Sequence, residues 1–215
     1  MPEQVLNYND AVVYDTDIEL FNPGCWLNDR CINFYFRHLE HCTFSSNTEF
    51  LFIDPAVVSF LMFQCSDSED EEDLGRALGL DQRSLIFIPV NDASHQLQQG
   101  SHWSLLFFDR KAEEFHHFDS SGGSNMSRAT AIANNFFSVL GQTGEPHVKS
   151  ATSPQQTNAY DCGVYVLALV EVIASYTLES LDRSQMLVDI INEKVSPSFV
   201  QTKRSSIQSL IISLI

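Results

Sequence analysis

Apolar residues along the chain fall into short runs separated by polar segments, and one run is much longer than the others. Val164 to Ile173 is interrupted only by Glu171, and such a run is longer than an ordinary strand. Asp161 stands just before it and is a good helix N-cap. The pattern therefore predicts a buried central helix, with Cys162 at its N-terminus.

The remaining runs predict both helices and strands. Helices are expected over residues 28–41, from residue 54 onward, and over 127–140, 180–191 and 205–215. Short strands are expected over residues 5–8, 50–53, 85–90, 102–108, 113–119 and, at a sheet edge, 147–151. Residues 9–22 are expected to be irregular. Because no internal repeat or linker interrupts the pattern, we predict a single domain over residues 1–215.

Two of the predicted strands form a hairpin that brings an imidazole toward a carboxylate. If residues 109–112 form a four-residue loop, Phe108 lies opposite Glu113, and counting back along both arms places His102 opposite Asp119. Directly opposed residues of an antiparallel pair share a face, with Cβ atoms about 4.5–5.5 Å apart. The pairing predicts a hydrogen bond between these two side chains.

Cys162, His102 and Asp119 together suggest nucleophilic catalysis. A thiol at a helix N-terminus sits where unpaired N–H groups and the helix dipole favour an anion. His102 would accept the thiol proton and later protonate a leaving amine, while Asp119 orients the ring, as acyl transfer requires. Gly163 has no Cβ and allows close approach of another backbone or a substrate. The alternative for Cys162 is a small buried hydrophobic residue, as most free cysteines are.

A tetrahedral intermediate also needs hydrogen-bond donors for its oxyanion. The backbone N–H of Cys162 is one candidate, and the carboxamide of Gln156, six residues earlier, is the second. One such donor is typically worth about 2.7–4 kcal/mol of transition-state stabilisation. The charge of Asp161 would oppose a neighbouring thiolate, so we expect its carboxylate to be turned onto backbone N–H groups.

The five cysteines, at positions 25, 31, 42, 65 and 162, are odd in number and show no C-x-x-C spacing. This disfavours a disulfide framework or a zinc ribbon and suits a reducing compartment. His116 and His117 could ligate a metal, but no further cysteine or histidine completes a site, so no metal and no cofactor is expected. An acidic N-terminal segment and the limited length of the apolar runs predict no signal peptide and no membrane span. A cytoplasmic or nuclear location is expected.

The formal net charge is −16, which disfavours nucleic acid because phosphate binding needs patches of Lys and Arg. The most acidic stretch covers residues 66–73. Two interpretations stay open for it, a solvated loop or first helical turn, and a docking patch for a basic partner.

Several motifs resemble those of the Ulp/SENP cysteine proteases. They are His102-Trp103-Ser104, Asp119-Ser120, Gln156-x-Asn158-x-x-Asp161-Cys162-Gly163 and Trp26-Leu27-Asn28-Asp29. The resemblance implies an α+β, papain-like fold in which helices flank a mixed central sheet and the nucleophile starts a central helix. It also implies thiol isopeptidase and peptidase activity, cleaving after the C-terminal Gly-Gly of a ubiquitin-like modifier.

The resemblance further implies a set of substrate-binding residues. Trp26 and Trp103 would wall a narrow tunnel around the Gly-Gly tail, and only glycines are thin enough to pass between two indoles. Asn28 and Asp29 belong to the same motif as Trp26. The loop that carries Asn91 and Asp92 would meet the modifier.

Within the family, the segment from Val90 to Leu106 is most similar to the small deneddylases, which remove the neddylation modifier from conjugates such as cullins and process its precursor. A domain that begins near Met1 also suits them, because SUMO proteases usually carry a long N-terminal extension. We expect a monomer that binds this modifier and its conjugates. The alternatives are a SUMO-specific protease, a non-catalytic modifier-binding module, and an acetyltransferase, for which no basic phosphate cradle is present.

Overall fold

A five-stranded mixed sheet forms the centre of the computed structural model, which describes residues 1–65, 67–93, 100–179 and 186–215. Its strands, in spatial order, are β3 (Phe50–Phe52), β4 (Leu85–Asn91), β5 (Trp103–Asp109), β6 (Glu114–Phe118) and β7 (His147–Ala151). The two outer pairs are parallel and the two inner pairs are antiparallel. A separate hairpin joins β1 (Gln4–Tyr8) to β2 (Ala11–Tyr14).

Helices cover both faces of the sheet. They are α1 (Asp15–Glu19), α2 (Asp29–His38), α3 (Pro55–Phe63), α4 (Ser68–Ala77), α5 (Met126–Val139), α6 (Cys162–Glu179), α7 (Met186–Lys194) and α8 (Pro197–Ser213). Helix α2 continues into a π-helical turn, Leu39–Thr43, and a 3₁₀ turn covers Leu80–Gln82. The arrangement confirms the predicted mixed sheet flanked by helices.

Alternate residues of β4 point to the two faces of the sheet and enter two separate apolar clusters. Phe87 packs in the cluster that contains α6, whereas Ile86 and Ile88 pack in the cluster that contains α3 and α5. Since both faces are covered, the strand is apolar at nearly every position, as buried strands are. This explains why the unbroken run over residues 85–90 predicted a strand.

Helix α6 is the predicted central helix. From Cys162 to Val170 every residue is buried, and the helix packs against β5 on one side and against α2, α7 and α8 on others. The apolar pattern therefore reflects a helix surrounded by protein for its first two and a half turns.

Two predictions about the chain ends need correction. Residues 9–22 are not irregular, because Asn9 and Asp10 have positive φ values of 47° and 69° and turn the chain from β1 into β2 and then α1. This is the turn geometry that Asn and Asp tolerate in tight hairpins. Helix α8 begins well before residue 205, since Ser196 caps it and Pro197 occupies its first position. Of the predicted helix over residues 180–191, residues 180–185 lie outside the described part of the chain.

The predicted register of the β5–β6 hairpin is wrong by two residues. Asp109 pairs with Glu114 and Leu105 with Phe118, so the loop covers residues 110–113, and Glu113 adopts a positive φ of 54°. Extending this register places Asp119 across from Ser104, and His102 becomes its diagonal neighbour. A shift of two preserves the face of each residue, so the two side chains still meet.

The acidic run begins helix α4. Asp67 caps this helix by accepting hydrogen bonds from the N–H groups of Glu69 and Asp70, at 3.1 and 3.0 Å. Acidic residues in a first turn complement the helix dipole. Ser66 lies outside the described residues, and the docking role stays a prediction. Within the described part of the chain, no helix combines the length and apolar composition that a membrane crossing requires.

The single charged residue of the central apolar run has a partner on α8. The Lys203 ammonium lies 2.6 Å from Glu171, and its side chain is only 11% exposed. Tyr35 on α2 donates its hydroxyl to the same carboxylate. Glu171 thus joins three helices through one carboxylate.

Replacing Lys203 by Met should lower the free energy of unfolding by about 1–3 kcal/mol. Met has a side chain of similar length but lacks the charged group that donates a hydrogen bond to the half-buried carboxylate. Urea unfolding measures the change. Arg76→Met, which removes the partner of exposed Asp73, is the control and should change stability by less than about 0.5 kcal/mol. Equal losses in the two variants would contradict the assignment.

Candidate active site

His102 and Asp119 form a hydrogen-bonded pair just outside the ends of β5 and β6. The Nε2 atom of His102 lies 2.7 Å from Oδ1 of Asp119, and both residues are largely buried. The imidazole also interacts with the sulfur of Cys162. The three predicted residues are therefore brought together, although their strand register differs from the one expected.

The charges of this pair stabilise each other. Burial opposes the protonated form of His102, but hydrogen bonds to Asp119 and to the Cys162 sulfur outweigh it and raise the pKa of the imidazole to about 9. Burial likewise opposes ionisation of Asp119. Hydrogen bonds from His102 and from the N–H groups of Asn125 and Ser121 outweigh burial and hold the pKa of this carboxyl below its ordinary value.

Asn125 at the start of α5 fixes both members of the pair. Its backbone N–H donates to Oδ2 of Asp119 at 3.0 Å, and its side-chain Nδ2 donates to the carbonyl of His102 at 3.3 Å. The same Nδ2 lies 3.2 Å from the Ser104 hydroxyl, which pairs with buried His117. The role of Asn125 has no local signal in the sequence, because nothing near residue 125 shows that it faces both strands.

Asp92 holds the backbone that leads into β5. Its Oδ1 accepts the N–H of His102 at 2.9 Å, and its carboxylate also accepts the N–H and hydroxyl of Ser101. Burial would raise the pKa of Asp92, but these hydrogen bonds outweigh it and lower the pKa. A side chain at Gly100 would overlap the side-chain oxygens of Asn91 and Asp92, so this position needs glycine.

Cys162 is the first residue of α6 and is buried. The next residue, Gly163, allows the close approach that its missing Cβ predicts. A Cβ added there would lie 3.0 Å from Cβ of Leu27, so the start of α6 packs directly on the segment that contains Trp26.

The carboxylate of Asp161 is not turned onto backbone N–H groups as expected. Its Oδ1 accepts two hydrogen bonds from Arg204 on α8, at 3.0 and 2.9 Å, and its Oδ2 accepts one from Asn158 at 2.8 Å. Asp161 contributes to the hydrogen bonding of α6 only through its backbone carbonyl, which accepts the N–H of Tyr165. The carboxylate therefore pairs with an arginine far along the chain instead of capping the helix, and no local sequence pattern predicts that pairing.

The carboxamide of Gln156 is oriented at both ends. The hydroxyl of Ser120 donates to its Oε1 at 2.8 Å, and its Nε2 donates to the carbonyl of Asn158 at 2.6 Å. Because Ser120 fixes the oxygen, the amide presents its NH₂ group toward the loop before Cys162. The neighbouring Gln155 bridges the same two loops, donating to the carbonyl of Asp119 and accepting from the N–H of Gly122.

Two clefts of about 780 and 770 Å³ adjoin these residues. The first is polar and contains His102, Asp92 and Gln156 in its wall. The second includes apolar side chains of α3, together with Trp103 and Gly100. Trp26 is 50% exposed and lines both clefts.

Trp103 is only 5% exposed, and its indole N–H donates to the carbonyl of Leu27 at 2.9 Å. It therefore serves as core packing while one part of it faces the second cleft. Trp26 and Trp103 both reach this cleft, as a tunnel between them would require.

The other predicted binding residues have structural partners. Asn28 caps α2 by accepting the N–H of Cys31 at 3.0 Å and donates to Asp17 at 2.7 Å. The side chain of Asn91 accepts the N–H of Ala93 at 2.9 Å. Asp29 is exposed, and Asn28, Asp29 and Asn91 all line the second cleft. Residues 94–99 of the predicted loop lie outside the described residues.

This arrangement can perform acyl transfer, because a protonatable imidazole held by a carboxylate and an oriented amide donor line the first cleft, and the imidazole interacts with the buried thiol of Cys162. Within the described residues, no group of three or more His, Cys, Asp or Glu side chains could hold a metal ion.

Comparisons with known proteins identify the family to which the chain belongs. Residues 25–213 match the model of the Ulp1 protease family, C-terminal catalytic domain. The chain is 32% identical to sentrin-specific protease 8 of Mus musculus, covering all of this chain and 95% of that protein. It is 34% identical to NEDD8-specific protease 1 of Arabidopsis thaliana, covering 99% and 94%. The fold resembles the Ulp1 protease domain solved in complex with yeast Smt3, with a TM-score of 0.72, 21% identity and coverage of 99% and 88%.

The raised pKa of His102 makes stability depend on pH in a defined window. An unfolded histidine titrates near about 6.5, so this contribution is complete below that pH and is lost as the pH rises through about 9. In the native chain the free energy of unfolding should therefore fall as the pH rises through this window. Asp119→Asn should lower the His102 pKa and make that fall smaller by roughly 2–3 kcal/mol. Urea unfolding between pH 6 and 9.5 measures it.

Asp73→Asn is the control, because Asp73 is an exposed carboxylate far along the chain from the pair. It should leave the pH dependence as in the native chain. If Asp119→Asn also left it unchanged, the His102–Asp119 pair would not stabilise the folded protein.

Proposed function

Because the chain belongs to the Ulp1 protease family and is a cysteine protease, we propose that it cleaves the bond after the C-terminal Gly-Gly of a ubiquitin-like modifier, with NEDD8 as the preferred modifier. It releases the modifier from conjugates and processes its precursor. It acts as a monomer in the cytoplasm or nucleus, where its five free thiols suit a reducing environment.

The observation that carries this proposal is that one imidazole is hydrogen-bonded to an acid and interacts electrostatically with a thiol. His102 is 2.7 Å from Asp119 and interacts with the sulfur of Cys162. In this arrangement Cys162 is the nucleophile, His102 is the general base and acid, and Asp119 orients the ring through Nε2. The pKa of His102, raised to about 9, favours an imidazolium that stabilises a thiolate beside it near neutral pH.

In the first half-reaction the Cys162 sulfur attacks the carbonyl carbon of the terminal glycine, forming a C–S bond. The imidazolium of His102 gives its proton to the amine nitrogen as the C–N bond breaks, and the amine leaves. In the second half-reaction His102 takes a proton from water, which attacks the thioester. The C–S bond then breaks, and the products are the modifier carboxylate and the free enzyme.

The oxyanion of each tetrahedral intermediate is bound by the N–H of Cys162 and the NH₂ group of Gln156. The Ser120 hydroxyl keeps the amide oxygen of Gln156 occupied, so the donor side is held in place before substrate arrives. Preorganised donors of this kind lower the barrier because they need no rearrangement when charge develops.

Each of the two clefts binds a different part of the substrate. The second cleft, which Trp26, Trp103 and Gly100 line, takes the extended tail of the modifier. The polar first cleft, which contains His102 and Gln156, takes the leaving-group side. Trp26 lines both clefts, where steric exclusion favours the two glycine residues that precede the scissile bond.

Preference for NEDD8 is supported by a relative that matches along nearly its whole length. NEDD8-specific protease 1 of Arabidopsis is 34% identical to this chain.

A panel of modifiers carrying a C-terminal fluorophore tests the specificity. We expect release from NEDD8 with kcat/KM at least about tenfold above that for SUMO or ubiquitin, a difference of about 1.4 kcal/mol in transition-state binding. SUMO release at an equal rate would overturn the NEDD8 preference alone. A lack of release from every modifier, with retained binding, would favour a non-catalytic binding module.

Cys162→Ala should lower kcat by at least about 10⁴-fold while leaving modifier binding intact, because the substitution removes the nucleophile and only one sulfur atom. Turnover and calorimetric binding are measured on the same samples. Cys42→Ala is the matched control, since Cys42 is an exposed thiol, and it should retain full turnover. Residual turnover in Cys162→Ala near the native rate would exclude Cys162 as the nucleophile.

A further inference from the structure

Arg204 is a buried cation on α8, and its guanidinium is saturated by acceptors from two other parts of the chain. Its side chain is 3% exposed. It donates to the carbonyls of Leu20 and Asn22 in the N-terminal region, at 2.8 and 3.3 Å. It also donates to the carbonyl of Tyr160 at 3.1 Å and to Oδ1 of Asp161. A charge buried this deeply needs such compensation.

The acceptor that matters for the reaction is Asp161. This residue immediately precedes Cys162, and consecutive Cα atoms are only about 3.8 Å apart. A buried, uncompensated carboxylate at that position would oppose a thiolate. Two hydrogen bonds from Arg204 to Oδ1, at 3.0 and 2.9 Å, place a positive charge against it.

The same contacts fix the chain that enters α6. Arg204 binds the Tyr160 carbonyl and the Asp161 carboxylate, and the other oxygen of that carboxylate holds Asn158. The carbonyl of Asn158 in turn accepts from Gln156. One guanidinium thereby connects to both proposed oxyanion donors, the start of α6 and the Gln156 amide.

We propose that Arg204 is a positioning residue for the reaction: it balances the charge of Asp161 beside the nucleophile and pins residues 158–161 at the start of α6. This inference rests on the proposed function only in taking Cys162 as the nucleophile. It is independent of which modifier is cleaved.

The charged groups that the contacts place around Cys162 come from several elements. His102 faces it from the start of β5, with Asp119 behind the imidazole. Asp161 precedes it and is bound by Arg204 from α8. Helix α2, which packs on α6, carries Arg30, and Arg30 pairs with Asp17 at 2.7 Å. Asp119 and Asp161 thus each have a cationic partner, and Arg204 is the partner of Asp161.

The charge-balancing role predicts shifts of opposite sign in two variants. Alkylation of Cys162 by iodoacetamide is measured against pH, with modification at this site followed by peptide mass spectrometry. Arg204→Gln should move the midpoint upward by about one pH unit, because Asp161 loses its counter-charge. Asp161→Asn should move it downward, because the positive charge of Arg204 is then unopposed.

The double variant Arg204→Gln/Asp161→Asn should return the midpoint to within about 0.3 unit of the native value, since neither charge remains. A residue that only holds the fold would alter rates in both single variants without this pattern of signs. Arg76→Gln is the control for net charge, because Arg76 lies in an exposed ion pair, and it should leave the midpoint unchanged.

A midpoint that stays native in Asp161→Asn would overturn the proposal, and so would a double variant that keeps the displacement of either single one. If Arg204→Gln fails to fold, the Asp161→Asn midpoint alone decides, because it keeps the arginine. Alkylation needs no modifier, so a failed modifier panel with opposite midpoint shifts would remove the proposed function and leave this inference standing.

Discussion

The burial of α6 is the constraint on which the rest of the structure depends. Every residue from Cys162 to Val170 is inaccessible to solvent or nearly so, and the sheet and three helices surround it. A close-packed helix cannot slide or rotate without opening voids, so the sulfur at its first residue has one position. The position of His102, which immediately precedes the middle strand β5, is fixed by the same core, because β5 packs directly on α6.

Precise placement of the reactive groups then comes from polar contacts to backbone atoms. Four side chains bind main-chain N–H or carbonyl groups next to the reactive residues: the carboxylates of Asp92 and Asp119 and the amides of Asn125 and Gln155. The carboxylate of Asp161 is held by the side chain of Arg204 instead. Each leaves few alternative arrangements, because an unpaired buried polar group is costly. Loops that carry the site are thereby held nearly as firmly as the strands and helices from which they extend.

The acids in and around the site are paired with cations, although the chain as a whole carries a large net negative charge. The formal charge is −16, yet the buried acids Asp17, Asp119 and Asp161 and the half-buried Glu171 each have a cationic partner: Arg30, His102, Arg204 and Lys203 respectively. Low local polarity makes these pairs strong and makes the loss of one partner severe. The acidic surplus is displayed on exposed segments such as α4, where water screens it.

The sequence by itself determined features that depend on neighbouring residues. The apolar run with Asp161 and Cys162 at its start predicts α6, the run over residues 85–90 predicts β4, and Asp54-Pro55 predicts the start of α3, because burial and capping leave local patterns. Family motifs predicted the reacting set. Ser196-Pro197 carries the same kind of cap signal, and α8 accordingly begins well before residue 205.

Only the tertiary structure decided contacts between distant segments. The hairpin register followed from a loop at residues 110–113 that the sequence does not distinguish from a loop at 109–112. The partner of Asp161 is an arginine 43 residues away, and Asn125 reaches two strands at once. Local patterns carry no information on such pairings, because they arise when packing of the core brings separate elements together and each buried charge or amide must then find a partner.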